Sequence, residues 1–333
     1  MTSASFARSK AQTPCCSSGA GGGYVRRCGF LARSLTRSLV RLSIMNLSMI
    51  LEASIQQFKF AVETLRTGPA SMKVPIHWTH WSTLSPSATS HAFSAPIWLL
   101  IFWFFYFLST FILWLAWRIH VSRPLDQALR LLAFLHNLVL SAWSGVMFLG
   151  AASAVVAVTR SDGSIERTFC SSSFDNFPRN IYYWLYMFYL SKPVEFFDTF
   201  LLAARGKPLT VLHVWHHASV VFETWSWLRY GLNFSIYGML FNTAIHTIMY
   251  MYFAYASMQW RFPWKRWITL LQIVQFITSF ALTIPYLYLY WRNPQRCMGM
   301  PALAISTFCN ASYLLLFLRF YRRTYWPVSK AKD

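Results

Sequence analysis

The chain has 333 residues, of which 56% are hydrophobic, 19% aromatic and only 12% charged. A soluble globular domain carries about 25% charged residues, so this composition excludes one and points to an all-α, polytopic membrane protein. The formal charge of +20 would suggest nucleic acid in a soluble protein. Here the basic residues sit in the N-terminal tail and between apolar runs, which fits positive-inside topology and contact with anionic headgroups or phosphates, with no nucleic-acid partner. No zinc-finger spacing, P-loop or dinucleotide fingerprint occurs.

Residues 1–94 form a basic tail, with ten Lys or Arg and only Glu52 and Glu63 as acids. Its Ser- and Gly-rich patches predict a segment that is partly disordered or lies on the membrane surface. The stretch 26–47, with Arg26, Arg27, Arg33, Arg37 and Arg41 and no acid, has the composition of an organellar transit peptide. An amphipathic surface helix, or an extension upstream of a functional start near Met45 or Met72, explains it equally well. Cys15, Cys16 and Cys28 lack the neighbours of a metal site.

From residue 95 to 326 the chain resolves into seven apolar blocks, at 97–117, 131–158, 181–203, 212–228, 234–258, 267–291 and 302–320. Each is close to the about 20 residues that cross a bilayer core, so seven transmembrane helices are expected, followed by a cytosolic tail at 327–333. The connectors after the first, third and fifth spans carry Arg118, Arg123 and Arg130, then Arg205 and Lys207, then Arg261, Lys265 and Arg266. Arg322, Arg323, Lys330 and Lys332 follow the seventh. All fall on one side, which the positive-inside rule makes cytosolic; the basic N-terminus then falls on the other side, a conflict that long segments tolerate. The same topology puts Cys170 and Cys297 in the oxidising lumen, where a disulfide between them is expected, two unpaired thiols being the alternative.

Polar residues recur at helical spacing inside four spans. In the third, Lys192, Glu195 and Asp198 step by three and stay within an arc of about 120°. In the fourth, LHVWHH at 212–217 places His213, His216 and His217 on one face. In the fifth, Asn242, His246 and Tyr250 repeat every four residues, and in the sixth Thr269, Gln272 and Gln275 step by three. One such stripe is explained by helix-to-helix hydrogen bonds. Four in consecutive spans describe a polar cavity inside a helical bundle.

The ordered set KPVEFFDT, LHVWHH, NTAIHTIMYMY, LLQIVQF and NASYLLLFLRFY closely resembles the ELO family of very-long-chain fatty acid elongases, over roughly residues 95–326. The resemblance implies a seven-helix bundle enclosing a polar active-site cavity and an acyl tunnel. It implies the condensing step of elongation, in which acyl-CoA and malonyl-CoA give 3-ketoacyl-CoA, carbon dioxide and coenzyme A, with no bound cofactor and no metal. It also implies residence in the endoplasmic reticulum membrane with the C-terminus cytosolic, contact with membrane lipid, and work beside the ketoacyl-CoA reductase, dehydratase and enoyl-CoA reductase of the cycle; a homodimer is a further expectation. A mitochondrial address stays open as the alternative, on the basic N-terminus.

A neutral imidazole attacks thioesters and shuttles protons near neutral pH. His216 is therefore expected to be acylated, with His213, His217 and His246 as base, orienting partner or oxyanion donor. Lys192 is expected to bind a carboxylate or phosphate, Glu195 and Asp198 to orient it or a histidine, and Asn242, Tyr250, Gln272 and Gln275 to supply hydrogen bonds. Arg205, Lys207, Arg261, Lys265 and Arg266 suit the phosphates of coenzyme A. Phe276, Phe280, Leu282, Phe308 and Leu315 are candidates for the tunnel wall. The competing readings are a histidine-box di-iron desaturase or hydroxylase, which needs about eight histidines where the core motifs hold four and His120 and His136 stand alone, and a non-enzymatic seven-helix transporter or receptor.

Overall fold

A computed structural model describes residues 93–116, 123–260 and 262–326. The tail expected over 1–94, apart from its last two residues, lies outside them, as do residues 327–333, His120 and Arg261. With no water in a bilayer core, each spanning segment must satisfy its own backbone, and these apolar runs do so as helices. The helices are α1 (Ile97–Ala116), α2 (Arg123–Asp162), the short α3 (Glu166–Phe169), α4 (Arg179–Ala204), α5 (Val211–Tyr230), α6 (Ser235–Ser257), α7 (Lys265–Arg292) and α8 (Met300–Tyr325). Among the described residues there is no strand.

Within α2, residues Asp126–Asp162 are long and apolar enough to cross a membrane, as are α7 and α8, and α1 holds a shorter apolar run, Ile97–Ile112. Helices α4, α5 and α6 have 26, 20 and 23 residues, also long enough for a bilayer core, but they carry the polar stripes that lower their hydropathy. The chain is a multi-pass membrane protein. Helix α2, at 40 residues, is much longer than the 131–158 block expected, because its amphipathic first turns, with Asp126 and Arg130 paired at 2.7 Å, continue the helix beyond the apolar run.

Each of α2, α4, α5, α8, α7 and α6 packs on the next in that order, and α6 closes the ring on α2. Helix α1 lies outside, against α4 and α5; Trp103 Nε1 donates to the carbonyl of Ala218 at 2.7 Å. At Gly150 the Trp184 indole of α4 packs directly on α2, since a Cβ there would fall inside the ring. Gly150→Ala is expected to lower stability by about 1–3 kcal/mol through overpacking, read as a lower thermal unfolding midpoint in detergent.

One end of the ring is sealed. Cys170, just after α3, is disulfide-bonded to Cys297 before α8, with Cα atoms 4.6 Å apart. Met298 N donates to Ser171 O at 2.9 Å, Asn233 Nδ2 to Arg167 O at 2.9 Å, and Arg167 pairs with Asp162 at 3.0 Å. Gly231, at φ +68°, ends α5 in the left-handed conformation that lets the chain turn at once into α6. Below this seal Phe188 stacks on Trp227 with ring centroids 5.9 Å apart, within a core that includes Ile181, Leu185, Tyr186 and Leu232. The bond closes a separation of 127 residues, and its loss in Cys297→Ser is expected to cost about 2–4 kcal/mol, as a reductant should in the parent protein alone. The opposite, basic end carries Arg130, Arg205, Lys207, Lys265, Arg266, Arg322 and Arg323.

Helix α8 buries one face only, through Ala302, Leu303, Ser306, Cys309 and Tyr313. Phe308 and Leu315 are therefore 65% and 68% exposed on its outer side and do not wall an interior tunnel, a correction to the sequence expectation. Phe308 instead lines an apolar outer groove between α1, α5 and α8. Phe280 and Leu282 are half-buried, and Phe276 alone of the five faces the interior cavity.

Candidate active site

Thr210 fixes where α5 begins, its hydroxyl accepting from the His213 N–H at 3.2 Å. That register turns Val211 and Trp215 outward, and His213, His216 and His217 into the bundle. The ring centroids of His213 and His217 are 4.3 Å apart, and those of His216 and His217 are 5.5 Å apart. The surroundings separate the three. His213 Nε2 is 2.9 Å from Thr199 Oγ1, which also meets Tyr106 OH at 3.3 Å. His217 Nδ1 is buried without a partner among the described residues. The His216 ring packs on Tyr313, with centroids 5.0 Å apart, and no side-chain hydrogen bond holds it among the described residues.

Helix α6 brings the fourth imidazole. Asn242 Nδ2 donates to His246 Nε2 at 3.2 Å, and the His246 ring meets Tyr250 edge-on at 5.3 Å. Tyr250 OH donates to Asp198 Oδ2 at 3.0 Å, and the other oxygen, Oδ1, is 3.0 Å from His136 Nε2. His136 thus does not stand alone, as its sequence surroundings suggested. It is the α2 partner of the α4 carboxylate.

These groups share one interior cavity of about 650 Å³, within the about 300–1,000 Å³ of small-molecule sites. His213, His216, His217, His246, Glu195, Asp198, Asn242, Tyr250, Gln272 and Gln275 all line it. Arg205, Lys207 and Lys265 line it at the basic end, and Ile268, Phe276, Phe317 and Phe320 give it an apolar side on α7 and α8. Gln272 Nε2 contacts Met249 Sδ at 3.2 Å. Arg205, which follows α4, has a buried Nε with no partner among the described residues, and burial lowers its pKa from the ordinary guanidinium value.

Two of the expected binding residues lie elsewhere. Lys192 does not line the cavity; it is 1% exposed, 2.6 Å from Glu195 Oε1 and 3.8 Å from the centroid of the Phe188 ring. Steps of three drift backwards around a helix by about 60° each, so a stripe that faces the cavity at Asp198 has turned into the packed core by Lys192. Arg266 points away and donates from Nε to Tyr321 OH at 2.7 Å. Among the described residues, no three His, Cys, Asp or Glu side chains gather in a geometry that could hold a metal.

Four residues around the site were given no role in it from the sequence. Thr199 and Tyr313 support two histidines by contacts between helices, which no spacing rule reveals. His136 gave only the signal of one imidazole in an apolar run. Glu223 gave a clearer one, an acid two turns beyond His216 in a membrane helix; it is 3% exposed and lies beside Ser306 and Tyr313.

A protein-family model described as "ELO: GNS1/SUR4 family" matches residues 91–333. A putative fatty acid elongase of Dictyostelium discoideum is 33% identical, over 60% of this chain and 67% of its own. Fatty acid elongase sre1 of the same organism is 32% identical over 60% of this chain and 75% of its own. Fatty acid elongase 1 of Trypanosoma cruzi is 31% identical over 58% and 68%.

Proposed function

The chain belongs to the ELO (GNS1/SUR4) family of fatty acid elongases, and from that premise we propose that it catalyses the condensing step of elongation through an acyl-imidazole on the α5 histidine face. The observation that carries this reading is a single cavity with four imidazoles and two carboxylates on one side, aromatic and aliphatic side chains on the other, and three cations at its basic end. That layout suits an acyl-CoA whose thioester must reach the histidines while its phosphates stay with Arg205, Lys207 and Lys265. Among the described residues no cysteine lines the cavity, and Cys309, the free cysteine among them, is buried on the inner face of α8 with Phe276 and Tyr313. The nucleophile is therefore an imidazole.

We assign the acyl group to His216. His213 is held by Thr199 and His246 by Asn242; the ring nitrogens of His216 and His217 carry no side-chain hydrogen bond among the described residues, and of these two His217 is buried whereas His216 is only partly so. In the first half-reaction the imidazole nitrogen attacks the acyl thioester, the C–S bond breaks, and the proton lost by the imidazole goes to the departing thiolate. In the second, malonyl-CoA loses carbon dioxide, and its enolate carbon takes the acyl group from nitrogen to give 3-ketoacyl-CoA. Asn242 and the remaining histidines stabilise the oxygen on which charge develops. Seven helices cross the endoplasmic reticulum membrane in this reading, with the basic end and the C-terminus cytosolic, where both CoA esters and the later enzymes of the cycle are met.

The test is incubation of membranes expressing the chain with labelled malonyl-CoA and a panel of acyl-CoA primers. Labelled 3-ketoacyl-CoA two carbons longer than its primer is the expected product. No labelled product with any primer would favour the transporter reading, and about two iron atoms per purified chain would favour the desaturase.

A further inference from the structure

A nucleophilic imidazole must present one particular nitrogen to the thioester, and rotation about its Cβ–Cγ bond exchanges the atom presented. Hydrogen bonds settle this for two of the four histidines, His213 through Thr199 and His246 through Asn242. For His216 the orientation rests on ring packing: among the described residues, the His217 ring meets it edge-on at 5.5 Å and the Tyr313 ring lies 5.0 Å away. His217 belongs to the same helix, so the contact that comes from across the bundle is Tyr313. A nucleophile misplaced by about 1 Å can lose about a hundredfold in rate.

We propose that Tyr313 of α8, tied by its hydroxyl to Ser219 of α5, is the positioning residue that aims the His216 ring at the thioester. The proposal rests on the acyl-imidazole reading. Tyr313 is 2% exposed and does not line the cavity, so it acts through His216 and does not touch substrate. Its ring packs on His216 and also on Phe276 of α7, whose centroid is 5.7 Å away. Its hydroxyl is 2.8 Å from Ser219 Oγ. Ser219 Oγ gives its own hydrogen to the carbonyl of Trp215 at 2.5 Å, so the tyrosine donates and the serine accepts. Ser219 stands three residues beyond His216 on the same side of a helix of about 3.6 residues per turn. One helix therefore presents both the ring that is aimed and the anchor of the side chain that aims it.

The register of α8 against α5 is fixed on both sides of this contact. Toward the basic end, Trp215 Nε1 donates to Ser312 Oγ at 2.8 Å, and toward the disulfide Trp227 Nε1 donates to Ser306 Oγ at 2.6 Å. Glu223, the acid beside Tyr313, also lies beside Ser306, whose oxygen accepts from Trp227 and whose hydrogen is free for the carboxylate. The tyrosine hydroxyl is thereby left to Ser219.

The test uses purified full-length protein and two measurements: acylation by acyl-CoA alone, followed by intact-protein mass, and kcat and KM in complete elongation. Tyr313→Leu should slow acylation and lower kcat about a hundredfold while KM for both CoA esters stays within about twofold, because the cavity lining is untouched. Tyr313→Phe and Ser219→Ala keep the ring in place and remove the same bond. Each should cost about fivefold in kcat, and the double variant about fivefold again in total, not about twenty-five-fold. These two variants decide the matter even if Tyr313→Leu does not fold. Parent kcat per folded molecule in all three, a loss carried by KM, or additive effects in the double variant would overturn the proposal while acylation of the parent stands. Parent protein that elongates but is never acylated by acyl-CoA alone would overturn the acyl-imidazole reading, and the proposal with it.

Discussion

His216→Ala is expected to lower elongation about a thousandfold or more and to abolish acylation by acyl-CoA alone, while leaving the protein folded. Loss of the side chain breaks no side-chain hydrogen bond among the described residues, where His216 makes ring contacts with His217 and Tyr313. Its removal enlarges an existing cavity instead of opening a void in a packed core, so the thermal midpoint should shift little. The chemical loss should be large because, among the described residues, no thiol lines the cavity to take over. His213→Ala provides the contrast. It frees Thr199 and Tyr106 as well as removing an imidazole, so it should lower both stability and rate. Elongation by His216→Ala at the parent rate would remove His216 from the acylated position and leave His213, His217 and His246 to be tested in the same way.

The second large effect concerns the fold. Lys192→Met should destabilise the protein by about 3–5 kcal/mol, because it leaves the Glu195 carboxylate buried without its cation. Lys192 is 1% exposed and Glu195 2%, and at 2.6 Å the pair satisfies one carboxylate oxygen, with Ser191 Oγ 3.4 Å from the same atom. Pairing Lys192→Met with Glu195→Gln removes both charges and should recover most of the loss, a pattern that thermal unfolding in detergent reads directly. A single variant as stable as the parent would mean that Lys192 carries no structural load and is free to meet substrate, as its place in the polar stripe had suggested.

The contrast between Lys192 and His216 shows what was legible in the sequence. Helical periodicity groups residues by face, and it correctly put His213, His216 and His217 together, because α5 runs its first two turns along the cavity wall without a break. The same rule failed at Lys192, since a step of three drifts around the helix and carries the stripe from cavity to core within two steps. The Cys170–Cys297 bond was legible as an expectation, because the topology put both cysteines in connectors on the same side; that they come within reach depends on α3 and on the turn after α7. Phe308 and Leu315 were misplaced for a different reason: in a membrane helix the lipid face and the buried face are equally apolar, so composition does not say which is which. His136 and Asp198 lie 62 residues apart and meet only because α2 packs on α4, a fact of the ring that no local pattern encodes.

The central claim is covalent acyl transfer through an imidazole, and mass spectrometry of the intact protein after incubation with acyl-CoA, without malonyl-CoA, tests it most directly. The account predicts a mass increase equal to one acyl group, one equivalent of coenzyme A released, loss of the added mass on addition of malonyl-CoA, and its absence in His216→Ala. Parent protein that keeps its unmodified mass and releases no coenzyme A until malonyl-CoA is present, yet still elongates, would contradict it.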